Sequence, residues 1–368
     1  MKFYIFIFLS IFLLSNCQEK NTTIKENQYT SITEKLDFKP AFKIQKFKNY
    51  QLLTVYIKER KDSILYAFVP KNIKIDNQQL PTQRIIRTPV KKIVVFSHTH
   101  LACIDKLNQS QSIVGVTEGN FLKDSKWEKL IQDKKIIDIG TSDASAKEKI
   151  VALQPEVVIT SNTSDIDQLK TLQKLNIQTI LNNDWLETHP LGRAEWVKIF
   201  GLLFETEKEV NTIFDNIKNE YNQIKKIAQK KIKNISVLTD IPFKGTWYLA
   251  GGKSYMAQFI ADAGGDFIAK DNDNTASVPT SIENVYTKSK NAAIWLNVGQ
   301  AKTLKEIITI DQRLGNFSAY QNKKIYNYNA DYWLTSIINP QEVLADMLAI
   351  FHPELLKDRK MKYYKQLN

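Results

Sequence analysis

Glu148-Lys-Ile-Val-Ala-Leu-Gln-Pro-Glu-Val-Val-Ile159 reads as a short amphipathic helix, a turn and a buried strand. Ser145 stands three residues before Glu148, the spacing of a capping box at a helix start. Pro155 closes the helical stretch, and the apolar run Val157-Val-Ile159 has the continuous hydrophobicity of a strand covered on both faces. The same pattern returns at Thr280-Ser-Ile-Glu283, which leads through a second amphipathic stretch to Asn291-Ala-Ala-Ile294. A unit of cap, helix, turn and strand used twice points to two lobes of similar build. Each lobe presents one acidic residue near a helix start. On the residues alone, Glu148 and Glu283 are capping glutamates that complement the helix dipole.

Outward from these units, helix and strand patterns alternate. Lys92-Ile-Val-Val-Phe96, Ser112-Ile-Val-Gly-Val116, Ile136-Ile-Asp-Ile139, Glu156–Thr160 and Ile177–Leu181 read as strands with helical stretches between them. Such alternation predicts a parallel sheet with helices on both faces, which binds ligands at the carboxyl ends of its strands. Residues 190–233 contain no strand pattern. Pro190 suits a first helical position, and Thr206-Glu-Lys-Glu209 reads as a capping box. The apolar stripe Val210, Ile213, Ile217, Tyr221, Ile224 and Ala228 then predicts one long helix. Its place between two αβ blocks makes it a strut joining lobes. Strand patterns resume at Ile235–Thr239, Ala292–Leu296 and Lys324–Tyr328, and Pro340–Phe351 reads as a final amphipathic helix.

The N-terminus has the features of export. Lys2 precedes the apolar run Phe3–Leu14, which is too short to span a bilayer and fits a signal-peptide h-region. Leu14-Ser-Asn-Cys17 is similar to a bacterial lipobox, so Cys17 is the expected site of lipidation. Cys103 is then the single cysteine left, and no internal disulfide is expected. The formal charge is +12, with lysines spread along the chain rather than clustered. In an exported chain that distribution describes a solvated surface, and nucleic acid is not an expected partner. Tyr50–Ile57 and Ser63–Val69 form a hairpin pattern. The expected organisation is signal peptide 1–16, lipidated tether 17–37, N-terminal β appendage 38–89, N-lobe 90–189, helical linker 190–233 and C-lobe 234–368.

Taken together, Lys92–Ser97, Ser112–Thr117, Glu148–Ile159, Gly251-Gly-Lys-Ser-Tyr255, Ala263-Gly-Gly-Asp266 and Asn339-Pro340 resemble the iron-siderophore and vitamin B12 substrate-binding proteins of bacterial ABC importers. The resemblance covers roughly residues 90 to 356. It implies an α/β fold of two Rossmann-like lobes joined by a single rigid helix, the class III periplasmic binding protein arrangement. It implies a ferric siderophore as ligand, with cobalamin and heme as alternatives. It also implies docking of Glu148 and Glu283 onto arginines of an ABC permease dimer with its ATPase. The expected protein is a monomer held by its lipid at the periplasmic face of the inner membrane or at the outer membrane. A surface lipoprotein that captures ligand without a permease is the competing binding role.

The candidate ligand contacts are loop residues after the strands. Phe121, Trp185, Trp247, Tyr248, Tyr332 and Trp333 offer flat aromatic surface. Arg193 and Lys244 offer positive charge, and His98 and His100 offer hydrogen bonds. The histidine pair supplies two nitrogens, fewer than a bare-metal site requires, so no metal or cofactor resident in the protein is expected. No Gly-x-Ser-x-Gly, P-loop, Cys-x-x-Cys or Gly-x-Gly-x-x-Gly is present, and the chain is not expected to be an enzyme.

Overall fold

A computed structural model describes residues 31–57, 60–123, 125–141, 144–231 and 233–368. The expected signal peptide and Cys17 lie outside the described residues. A first sheet has the order β1 (Ile32–Thr33), β2 (Phe42–Lys46), β3 (Gln51–Ile57), β4 (Asp62–Pro70) and β5 (Ile85–Thr88). The expected hairpin is β3 and β4, paired from Gln51 with Phe68 to Ile57 with Asp62. The appendage is larger than that hairpin. It reaches back into the segment expected as tether, because β1 pairs with β2 and Asp37 bonds to Lys218 at 2.5 Å. It is fixed to the rest of the molecule by buried polar and aromatic contacts. The Tyr66 hydroxyl accepts from Leu181 N at 3.1 Å, Ala41 N donates to Glu187 at 2.7 Å, and Phe42 meets Trp196 edge-on.

The N-lobe sheet runs β10-β9-β6-β7-β8 and is parallel throughout. Its strands are β6 (Ile93–Val95), β7 (Ile113–Thr117), β8 (Ile137–Gly140), β9 (Val157–Thr160) and β10 (Gln178–Leu181). All four residues of β9 are buried, as a strand covered on both faces requires. Helices α1 (His98–Lys106), α2 (Lys126–Gln132), α3 (Ala144–Leu153) and α4 (Thr163–Leu169) alternate with these strands. The strand order reverses beside β6, so its carboxyl end, where α1 begins, lies at a topological switch point.

Helices α5 (Pro190–Glu195), α6 (Val197–Phe204) and α7 (Glu207–Ala228) connect the lobes. The strut α7 has 22 residues, about 33 Å of helix. Val210, Phe214, Ile217, Tyr221 and Ala228 are its buried side chains, with Ile213 and Ile224 partly buried at the margin. The expected Thr206–Glu209 capping box does not form, because the Thr206 hydroxyl makes no hydrogen bond and instead its backbone N–H donates to Gly201 O. The strut is tied to both sides. Lys218 bonds to Asp37, while Tyr221 and Lys225 bond to Asp262 at 2.8 and 2.7 Å.

The C-lobe strands are β11 (Ile235–Thr239), β12 (Pro242–Phe243), β13 (Thr246–Leu249), β14 (Gly265–Phe267), β15 (Val278–Thr280), β16 (Ile294–Leu296), β17 (Ile325–Tyr328) and β18 (Tyr364–Gln366). The main sheet has the order β14-β11-β16-β17-β18, parallel except for β18 at its edge. Strands β12, β13 and β15 form a small antiparallel sheet beside it. The helices are α8 (Tyr255–Asp262), α9 (Ile282–Ser289), α10 (Leu304–Ile310), α11 (Ser318–Gln321), α12 (Ala330–Thr335) and α13 (Pro340–Phe351). The switch point of this sheet falls between β11 and β16, again at strand carboxyl ends. Among the described residues no helix is long and apolar enough to cross a membrane.

Candidate functional site

Loops and helices at the carboxyl ends of both sheets form a cleft with two adjoining chambers, an outer and an inner one. The outer chamber, about 560 Å³, takes His98, Glu118 and Phe121 from the N-lobe and Lys302, Tyr328 and Trp333 from the C-lobe, among others. The inner chamber, about 310 Å³, takes Trp185 from the N-lobe and Asp240, Tyr255, Asn297, Tyr328, Tyr332 and Trp333 from the C-lobe. Tyr328 and Trp333 line both and form the partition between them. Their rings meet edge-on at 5.3 Å, and Tyr332 stacks under Tyr328 at 5.2 Å. Tyr332 is almost fully buried while Trp333 is 47% exposed, so Tyr332 supports the surface that Trp333 offers.

Each wall has a local cause. The Trp185 indole donates to Ser161 O at 3.0 Å, which holds the half-exposed ring beside the loop after β9. Gly251 and Gly252 lie against the backbone of residues 272–274. A Cβ on them would sit 2.1 Å from Asn274 O and 2.4 Å from Asn272 O. Only glycine allows that approach, and it places Thr275, Ala276 and Ser277 over the inner chamber. Asp240 and Asn297 follow β11 and β16 with φ of 67° and 61°. Burial raises the Asp240 carboxyl to about 6, against the lowering effect of bonds from Thr239 and Ala250.

The expected contacts divide into two groups. Phe121, Trp185, Tyr332, Trp333 and His98 come together at the cleft. His98 opens α1, and its Nε2 lies 3.0 Å from the Thr117 carbonyl oxygen. The other candidates lie elsewhere. His100 is fully buried with neither ring nitrogen hydrogen-bonded, and burial lowers it to about 4. The reason is that α1 starts at His98, so the two histidines are helical neighbours two apart and point to different sides. Arg193 is buried under the inner chamber. Its guanidinium bonds to Asp184 at 2.7 Å and lies 4.7 Å from the Tyr255 ring centroid.

Trp247 is a core residue, fully buried and stacked on Trp295 at 5.6 Å, with its indole donating to Thr239 O. Side chains alternate along β13, so Trp247 points inward while Tyr248 is exposed outside both chambers. Lys244 and Gly245, with φ of 49° and 81°, form the tight β12–β13 turn. Lys244 is thereby aimed at Phe243, outside both chambers. Asp240, Asn297, Tyr255 and Tyr328 were missing from the sequence-based set. The available signal was position, since Asp240 and Asn297 are the first residues after two strands and Tyr328 ends a third.

The two glutamates are exposed but not equivalent. Helix α3 begins at Ala144, so Ser145 is already inside it and Glu148 is the fifth helical residue. In α9 the cap is Ser281, whose hydroxyl accepts from Asn284 N, and Glu283 is the second helical residue. Glu283 is ion-paired with Arg313, which is also paired with Asp311. Among the described residues, no group of three or more His, Cys, Asp or Glu side chains is arranged to hold a metal ion.

Comparison with known proteins agrees with this geometry. The chain is 29% identical over 296 residues to an uncharacterized lipoprotein of Methanocaldococcus jannaschii, covering 77% of this chain and 70% of that one. It is 23% identical over 252 residues to the petrobactin-binding protein YclQ of Bacillus subtilis, covering 67% of this chain and 77% of that one. The crystal structure of the periplasmic heme-binding protein HutB of Vibrio cholerae superposes with a TM-score of 0.58 at 18% identity. That superposition covers 71% of this chain and 99% of HutB. The periplasmic binding protein family model matches residues 93–332, and the chain belongs to that family.

Proposed function

We propose that this chain is the substrate-binding component of an ATP-driven importer and captures a ferric siderophore in the interlobe cleft. The observation that carries this reading is the cleft itself. Both lobes contribute aromatic side chains at the carboxyl ends of their parallel sheets, with Trp185 and Phe121 on one side and Tyr328 and Trp333 on the other. Half-exposed aromatic walls suit a large, partly flat ligand and lose little side-chain freedom on binding. The similarity to a petrobactin-binding protein supports an iron chelate. Heme is the second reading, favoured by the similarity to HutB and by His98 at the wall of the outer chamber; cobalamin follows it.

The strut α7, bonded to both sides, limits closure to a small movement of one lobe on the other. Delivery to a permease dimer would use Glu148 and Glu283, both exposed, the first midway along α3 and the second at the start of α9. Lipidation at Cys17 would hold the protein at the membrane outside the cytoplasm, as the similarity to an archaeal lipoprotein supports.

Tryptophan-fluorescence titration of the full chain in detergent micelles tests the ligand. Ferric catecholate and hydroxamate siderophores, cobalamin and heme form the panel. Quenching by at least one ferric siderophore is expected through Trp185 and Trp333. Unchanged emission with every compound would overturn the reading. The double variant Glu148→Arg, Glu283→Arg is expected to bind ligand normally and to lose uptake in cells; normal uptake would remove the docking role.

A further inference from the structure

The two chambers differ in charge. The outer one is lined by Lys123, Lys302 and Lys365 together with Glu118 and Asp331. The inner one has a single carboxylic acid, Asp240, among five aromatic rings, and no Lys, Arg or His side chain lines it. The buried Arg193 lies against the Tyr255 ring and is neutralised by Asp184 at 2.7 Å. The inner chamber is therefore built of one anion and several electron-rich ring faces, and both attract a cation.

Asp240 is held in position for that role. Its backbone N–H donates to Leu296 O at 3.0 Å, and its carbonyl accepts from the Trp295 indole at 2.7 Å. Both side-chain bonds, from the Thr239 hydroxyl at 2.7 Å and from Ala250 N at 3.1 Å, end on Oδ2. Among the described residues none donates to Oδ1, although Asp240 lines the chamber. A carboxylate oriented by four bonds with one oxygen left over is arranged for a partner the chain does not supply.

We propose that the inner chamber takes a protonated amine carried by the ligand, with Asp240 Oδ1 as its counter-ion and the surrounding rings as its walls. This deepens the iron-chelate reading and rests on it: the ligand is two-ended, with the chelate in the outer chamber and an ammonium arm in the inner one. Burial that disfavours a bare Asp240 charge agrees, since an ammonium partner would restore it.

The test compares ferric desferrioxamine B, which carries a free ammonium, with its N-acetylated neutral form. Both are titrated into the full chain by tryptophan fluorescence, and spermidine is titrated alone. The ammonium form is expected to bind at least about tenfold more tightly. D240N, which keeps an acceptor for Thr239 and Ala250, is expected to bind both forms equally. Equal affinities in the unmodified protein, or a preference that survives in D240N, would overturn the proposal. If neither chelate binds, spermidine decides: quenching lost in D240N supports the amine site, and no quenching removes it. The import reading fails separately, when every chelate, cobalamin and heme leave emission unchanged.

Discussion

Asp240 and Asn297 are the first residues beyond the neighbouring parallel strands β11 and β16, both have left-handed backbone, and both line the inner chamber. The turn that each makes directs its side chain to the switch point of the C-lobe sheet. For Asp240 the result is a desolvated carboxyl raised from 3.8 to about 6. A raised carboxyl binds its proton more tightly folded than unfolded. Its contribution to stability is therefore full below about 3.8 and is lost as pH rises through about 6. Asp240→Asn removes that loss. Thermal melts should show the variant more stable than the unmodified protein at pH 7.5, by on the order of 1 kcal/mol, with the gap closing at pH 4. A gap that is constant with pH would show that Asp240 is not the titrating group.

Trp247 and Trp333 are opposites in burial. Trp247 is fully buried against Trp295 and Phe317, whereas Trp333 is half-exposed at the partition of the cleft. Replacing Trp247 by Ala should cost about 3–5 kcal/mol in denaturant unfolding. Replacing Trp333 by Ala should cost less than about 1 kcal/mol and lower ligand affinity at least about tenfold. Equal stability losses would contradict the two placements.

These residues also show what the chain's pattern could and could not reveal. Parallel strands are largely apolar runs, so β7, β10 and β17 were readable, and with them the segments that carry Phe121, Trp185 and Trp333, the last of which lies within α12 rather than in a loop. The facing of a four-residue strand such as β13 is set by its partners. Trp247 and Tyr248 therefore could not be told apart by composition. His98 and His100 were separated by where α1 begins, a boundary that local propensity locates poorly. In the appendage, β3 and β4 were readable because only four residues of sequence separate them, while β1, β2 and β5 depend on pairing with strands already in place. Asp240 was visible only once β11 was known to sit at the switch point.

His100 and His189 predict the acid limb of stability. Burial lowers each from 6.5 to about 4, although Asp184 and Asp262 respectively pull the other way. A depressed histidine is neutral when folded and protonated when unfolded between those values. Stability is fully present above about 6.5 and falls as pH drops towards about 4. His100 has no hydrogen bond on either ring nitrogen and packs near Phe200. His100→Leu should thus be neutral or stabilising at pH 7.5, by up to about 1 kcal/mol, and should flatten the melting-temperature profile between pH 6.5 and 4. An unchanged slope would assign the acid limb to other groups.

Glu283 and Arg313 form an exposed ion pair. In the free protein the Glu283 carboxylate is held below its ordinary range by a backbone bond at its helix start and by the Arg313 side chain. Arg313 is shared with Asp311, so Glu283 can leave without stranding a charge. Under the docking proposal a permease arginine would exchange one exposed pair for another, and docking would be reversible and salt-sensitive. Arg313→Ala removes the internal competitor. It should leave ligand affinity and melting temperature unchanged, and it should increase the apparent affinity of ligand-loaded protein for the permease in proteoliposomes, most visibly at low salt. Glu148 has no such partner among the ion pairs of the described residues, so Glu148→Gln should weaken docking without any change at Arg313. Uptake that ignores both substitutions across the salt range would place the docking surface elsewhere on the lobes.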